Sequence, residues 1–407
     1  MDRLFNRLIL LFRYAGQSLL VLATLLLIFL AVTALSFAST HRDCVEQYDP
    51  QVDYFPDKAR LIHARGFTLD YFGHYKVLTV LTPWPGATRN FRYVLVQCGT
   101  PPPTGYPDAQ IIEVPIVKVI ALTKPQLPHL ELLDVLDGLL ALDSLDRVYS
   151  QTVNRKIAAG QLVAVGWGTT IDAERILALE PDLVMATAYD QPQHNVHPIL
   201  QRVGIPVVIN AEYTEPTPLG RTEWLKFTAA LFNKEQRAER VFNDIASRYR
   251  AYAELTQDLP DGKRPTVLTG ALYGSAWYVP SGNSYLAQLL DIAGGDYLWA
   301  DTDATGNIPL DFEAVYARAW QADYWLTTKN EWLTRADMQA ADARYDVFTA
   351  YQHGRVYNNN ARLSATGGND YWERATLEPD MILADLIKIF HPSLVPEHTL
   401  KYFRKLP

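Results

Sequence analysis

Residues 222–258, TEWLKFTAALFNKEQRAERVFNDIASRYRAYAELTQD, run without a glycine or a proline. Apolar side chains recur at Trp224, Phe227, Leu231, Ala238, Phe242, Ile245 and Tyr249, the spacing of a helix that buries one stripe. A single helix of this length would reach roughly 55 Å. That exceeds what one crossover between neighbouring strands needs, so the run reads as a strut between two lobes. Pro260-Asp261-Gly262 ends it.

Strand and helix patterns alternate on both sides of the strut. Before it, 117–122, 162–165, 183–186 and 206–210 are short apolar runs with strand character, interleaved with helical spacing at 130–142, 172–179 and 194–203. After it, strands at 265–270, 324–327 and 355–357 alternate with helices at 285–293, 311–319 and 379–390. This rhythm predicts parallel α/β sheets, whose ligand crevices lie at the carboxyl ends of the strands. Residues 67–72, 75–81 and 91–97 instead alternate in period two between turn residues and predict antiparallel strands. The expected fold is α/β: two parallel-sheet lobes joined by one long helix, with a β-rich segment before the first. The boundaries are 1–38 for a leader, 39–60 for a linker, 61–213 for the first lobe (β-rich 61–110, α/β 111–213), 214–258 for the interlobe helix and 259–407 for the second lobe.

The leader carries Arg3, Arg7 and Arg13 before the uncharged run LLVLATLLLIFLAVTALSFA at 19–38. Basic residues stay on the cytoplasmic side, so this is an export signal or a membrane anchor, and the rest of the chain is expected outside. Ser36-Phe37-Ala38 offers small residues for cleavage; a span of this length also suffices to anchor. The formal charge is −8, and the leader is net basic, so the body is more acidic still. That argues against nucleic acid as a partner. Cys44 and Cys98 are the two cysteines. Residues 39–43, STHRD, are unsuited to a lipoprotein box, and in an oxidising compartment a structural Cys44–Cys98 disulfide is expected, with two free thiols as the alternative.

The phrases ILALEPDLV (176–184), GIPVV (204–208) and LLDIAGG (289–295), in this order around the strut, resemble the class III (helix-hinged) periplasmic binding proteins of ABC importers. PSGNSY (280–285), PLDFE (309–313), VYNNNAR (356–362) and GGNDYWE (367–373) resemble a branch of it labelled iron-transport binding proteins. The resemblance covers about residues 110–407. It implies a cleft between the lobes for an iron–siderophore, with cobalamin or haem as alternatives, delivery to an ABC permease and its ATPase, no catalysis and no cofactor beyond the bound ferric chelate. It also implies one acidic docking residue on each lobe; Asp291 or Asp296 suits the second, and the first has no clear equivalent.

Loops after strands supply the candidate contacts. In the second lobe these are Tyr273, Trp277 and Tyr278, large stiff faces with a polar handle, though such rings also pack sheets. Arg362 and Asn360 follow, a guanidinium able to fork onto an anionic chelate or to pair with Asp370 or Glu373 instead. Trp372 sits with Asn369, Asp370 and Tyr371 where a helix facing the cleft could open. In the first lobe Thr123, Trp167, Tyr189, Glu212 and Tyr213 map to the crevice side, with exposed loop positions as the plain alternative.

Three rival readings are weaker. A bare metal ion would use His194 and His197, three apart on a helix face, with His129, but nothing brings His129 to the pair. A hydrolase would need an activated nucleophile; Ser275 and Ser281 lack a Gly-x-Ser-x-Gly elbow, and Gly166-Trp167-Gly168 alone signals no dinucleotide site. A sensory ectodomain would share the leader.

Overall fold

The computed structural model describes residues 44–304 and 306–407; the leader or anchor expected over 1–38 lies outside them. Among the described residues no helix is long and apolar enough to cross a membrane.

β1 (Phe67–Phe72), β2 (Tyr75–Val80) and β3 (Phe91–Gln97) pair antiparallel, and β4 (Gln110–Val114) adds parallel to β3. A disulfide joins Cys44 to Cys98, just past β3. Phe55 is buried in the same core as this sheet, and Tyr54 N–H donates to the Gly73 carbonyl at 2.7 Å. Residues 44–60 therefore pack on the sheet, although their polar composition suggests a free linker.

The first lobe follows as β5 (Val119–Ala121), α1 (Gln126–Leu132), β6 (Leu139–Leu142), α2 (Gln151–Ala158), β7 (Val163–Ala164), α3 (Ala173–Leu179), β8 (Leu183–Ala186), α4 (His197–Arg202) and β9 (Val207–Ile209). The strands form one parallel sheet in the order β7-β6-β5-β8-β9. Two expectations are corrected. Residues 130–142 are not one helix: α1 stops at Leu132, Asp134 turns through φ 61°, and Leu139–Leu142 is a largely buried strand. A short wholly apolar run suits a covered parallel strand as well as a helix face. The helix expected from 194 begins only at His197, because Pro198 lacks an N–H and fits the first turn but not an interior.

The strut is also corrected. It is two helices, α5 (Pro218–Phe232) and α6 (Glu235–Glu254), broken at Asn233, whose φ of 53° and ψ of 45° are left-handed. Asparagine tolerates this conformation better than most residues. The break is held from β2: the fully buried Lys76 ammonium donates to the Ala230 carbonyl at 2.7 Å, Asn233 Oδ1 at 2.8 Å and Glu235 Oε1 at 2.5 Å. Burial lowers the pKa of this lysine from its ordinary value, and the Glu235 carboxylate opposes the shift. The β-rich sheet thus clamps the elbow of the hinge.

The second lobe contains β10 (Thr266–Thr269), β11 (Leu272–Tyr273), β12 (Ala276–Pro280), α7 (Tyr285–Ile292), β13 (Asp296–Tyr297), β14 (Asn307–Leu310), α8 (Phe312–Ala319), β15 (Tyr324–Thr327), α9 (Arg335–Ala341), α10 (Thr349–Gln352), β16 (Val356–Asn358), α11 (Asp370–Glu373), α12 (Pro379–Phe390) and β17 (Arg404–Lys405). The main sheet runs β13-β10-β15-β16-β17, parallel except for β17, and β11-β12-β14 form a small antiparallel sheet. Ser284 and Asp311 cap α7 and α8 by accepting from Ala287 and Ala314 N–H, contacts worth about 1 kcal/mol each. Each lobe has its own hydrophobic core, so the fold is the expected pair of α/β lobes on a hinge of two helices.

Candidate functional site

In the second-lobe sheet the strand order reverses between β10 and β15, and a crevice opens beyond the carboxyl ends of such a pair. A cavity of about 520 Å³ lies there. Thr269 and Gly270 after β10, and Leu326, Thr327 and Thr328 at the end of β15, form its floor. Tyr213, Thr214, Glu215 and Pro216 after β9, Arg221 of α5 and Pro85 of the β-rich segment line it from the first lobe. The two halves therefore face each other across a gap. Gly270 keeps the floor open: its φ is +79°, and a Cβ there would meet the Tyr278 carbonyl oxygen at 2.2 Å.

Of the expected contacts, Tyr278 and Trp372 line the cavity, 43% and 51% exposed, and Tyr213 faces them from the first lobe. Tyr189 and Trp167 are not in the cavity wall but continue from it. The Tyr189 ring lies 6.2 Å from Tyr213, Trp167 lies 6.3 Å from Tyr189, and Trp167 stacks on His194 at 5.0 Å. These rings make an aromatic strip along the first lobe.

The other expected contacts are elsewhere. Trp277 is fully buried, 5.3 Å from Trp325 and 5.7 Å from Tyr345, with its indole N–H on the Thr269 carbonyl. It alternates with Tyr278 along β12, so only one of the two can face the cavity. Tyr273 is 74% exposed on β11, under the Lys329 ammonium, and does not line the cavity. Arg362 donates to Asp370 at 2.7 Å and lies over the Tyr149 ring, the pairing alternative. Asn360 is buried and donates to the Asn330 and Trp332 carbonyls, a turn brace. Thr123 lies outside the wall, next to Lys124, which pairs with Asp143. Glu212 is buried and touches a contact residue: Arg221 Nη2 donates to it at 3.3 Å. Asp291 and Asp296, expected as docking acids and not as ligand contacts, sit outside the cavity wall at the amino-terminal end of the second sheet; Asp291 pairs with Arg264.

Arg221 is the residue that no motif flagged. Its guanidinium lies 5.3 Å from the Tyr285 ring centroid, and Glu212 holds one nitrogen. Its buried Nε has no partner, and neither have the Tyr285 hydroxyl and Thr327 Oγ1. Three unsatisfied polar atoms around one cavity are costly unless a solute or water completes them. Glu215, the nearby acid, is committed: it accepts from Arg65 N–H, Gly66 N–H and the Trp224 indole. Burial pushes the Tyr213, Tyr285 and Tyr371 hydroxyls well up from the usual phenol range, so all three are neutral donors. The site thus offers rings, the neutral Tyr285 hydroxyl and one incompletely paired guanidinium, while the Tyr213 hydroxyl donates to the Ala188 carbonyl.

Among the described residues no group of three metal-ligating side chains comes together. His129 is buried on Thr228 Oγ1, and His197 packs edge-on to Phe91, away from the ring of His194 on Trp167.

The family model described as periplasmic binding protein matches residues 119–363. The chain belongs to the periplasmic binding protein family. Members of this family are solute-binding transport proteins, not enzymes. An uncharacterised lipoprotein of Methanocaldococcus jannaschii is 28% identical over 73% of this chain and 70% of its own. The fold is similar to that of a possible iron-binding periplasmic solute-binding protein from Staphylococcus epidermidis, at TM-score 0.52, 16% identity, 68% of this chain and 100% of that one. It is also similar to an ABC-type Fe3+-hydroxamate transport protein from Saccharomonospora viridis, at TM-score 0.51, 20% identity, 68% of this chain and 94% of that one.

Proposed function

We propose that this protein captures an iron–siderophore in the interlobe cavity and delivers it to an ABC permease driven by its ATPase. The observation that carries the reading is that Arg221, with a buried Nε that has no partner, lines the cavity together with Tyr213, Tyr278, Tyr285 and Trp372. A ferric chelate presents a bulky, partly aromatic surface with anionic oxygens at its rim. Rings match the first and a guanidinium the second, and a preformed pocket spares most of the ordering cost. A cavity of about 520 Å³ is in the range of small-molecule sites, and the strip from Tyr213 to Trp167 would take the part of a larger chelate that protrudes. The hydroxamate-transport and iron-binding relatives of the fold support the same class.

Both cysteines are used in the disulfide, so a lipid on Cys44 would exclude it. Residues 1–38 are the reading's anchor, holding the chain to the outer face of the cytoplasmic membrane when uncleaved. Purifying the full chain from iron-starved cells and recording its absorbance and bound metal tests the proposal. A ferric chelate band with stoichiometric iron is expected; a haem or corrinoid spectrum would replace the siderophore.

A further inference from the structure

α11 stands between the cavity and the first lobe. On one side Tyr371 and Trp372 line the cavity. On the other, the Glu373 carboxylate crosses to the first lobe and accepts from Tyr149 N–H and Ser150 N–H, each at 2.8 Å. Ser150 is the N-cap of α2, and its hydroxyl donates to Glu131 of the helix before it. Arg374, next after α11, pairs with the same Glu131. The loop leading into α11 lies flush on the first lobe: a Cβ on Gly368 would come within 2.5 Å of the Val148 carbonyl carbon. Glu373 is 3% exposed, and among the described residues no basic side chain pairs with it.

We propose that Glu373 and Arg374 are positioning residues for ligand binding, bolting α11 to the first lobe and so setting both the width of the cleft and the stance of Tyr371 and Trp372. The proposal rests on the cavity being the ligand site. A carboxyl shared by two backbone N–H groups satisfies both at the start of α2, and removing it orphans both donors. With the clasp loose, the cleft must be ordered at the expense of binding energy.

The clasp carries a pH signature. Burial, ahead of the opposing bonds from Tyr149 and Ser150, pushes the Glu373 carboxyl up to about 7, and the Asp370 and Glu131 carboxylates add to this. Arg374, Arg362, Glu378 and Lys401 line the same crevice. Opening hydrates Glu373 and returns it towards its ordinary value, so the closed form holds the proton more tightly and rising pH favours opening.

The test places nitroxide labels at two exposed positions, Leu177 in the first lobe and Val347 in the second, on the full chain without ligand. Pulsed dipolar spectroscopy of the parent is expected to give a narrow interlobe distance distribution that widens as pH rises from about 6 to about 8. Glu373→Ala should widen it at both values and remove the pH response; Arg374→Ala, at a more exposed position, should widen it with the response kept. Release of a ferric trihydroxamate probe should quicken about tenfold in both. Narrow, unchanged distances in both folded variants would overturn the clasp even if binding weakened. A parent that binds no probe yet shows these distance changes would overturn the ligand reading instead.

Discussion

The guanidinium of Arg221 lies 5.3 Å from the ring centroid of Tyr285 and donates to the carboxylate of Glu212, which steadies it. One contact comes from the hinge helix, one from the second lobe and one from the first. Arg221→Ala should weaken binding of a ferric hydroxamate about 10- to 100-fold, the range for a lost hydrogen bond to a charged group. Arg221→Lys should recover little of it, because an ammonium cannot reproduce the planar edge. Calorimetric titration checks both; an intact affinity in Arg221→Lys would show that only charge matters.

Trp277 and Tyr278 separate stability from binding. Trp277→Ala removes a fully buried indole among Trp325, Tyr345 and Phe348 and should cost about 3–5 kcal/mol in urea unfolding. Tyr278→Ala should leave the unfolding midpoint nearly unchanged and lower ligand affinity. The reverse pattern would mean that β12 is shifted by one residue.

Lys76 tests the elbow of the hinge. Lys76→Met leaves the Glu235 carboxylate buried without its cation, which should destabilise the chain by about 3–5 kcal/mol. Pairing it with Glu235→Leu should recover much of the loss, since an apolar pair of similar volume often equals a buried ion pair. A double variant no more stable than Lys76→Met would contradict the clamp.

His129 supplies a stability slope with pH. Burial first, and the Arg221 charge second, depress its imidazole to about 3 from an ordinary 6.5. The unfolded chain therefore binds a proton below about pH 6.5 that the folded chain refuses, so this contribution is complete above that value and is lost as pH falls towards 3. His129→Gln should flatten the acid limb of a stability–pH curve measured by denaturant titration, while an unchanged limb would assign the slope to other groups.

The lobes were legible in the sequence because covered parallel strands write short apolar runs, and helices with caps such as Ser284 and Asp311 write their own starts. What was hidden depends on partners distant in the chain. The helical period runs through Asn233 almost undisturbed; the break there is stabilised by Lys76, far away on β2. The choice between Trp277 and Tyr278 needed the register of β12 on β14, which pairs Tyr278 with Pro309. Arg362 and Arg221 are both arginines near loops, and only the packing shows that Asp370 occupies the first and that the second keeps an Nε without a partner.

The central claim is that the cavity between the lobes holds a ferric chelate through Arg221 and the rings around it. The most direct measurement titrates the full chain with a ferric trihydroxamate and follows quenching of tryptophan fluorescence, alongside Arg221→Ala and Trp372→Ala. Saturable one-to-one binding by the parent, weakened at least about tenfold in both variants, is the predicted result. Binding of equal strength in all three proteins would contradict it.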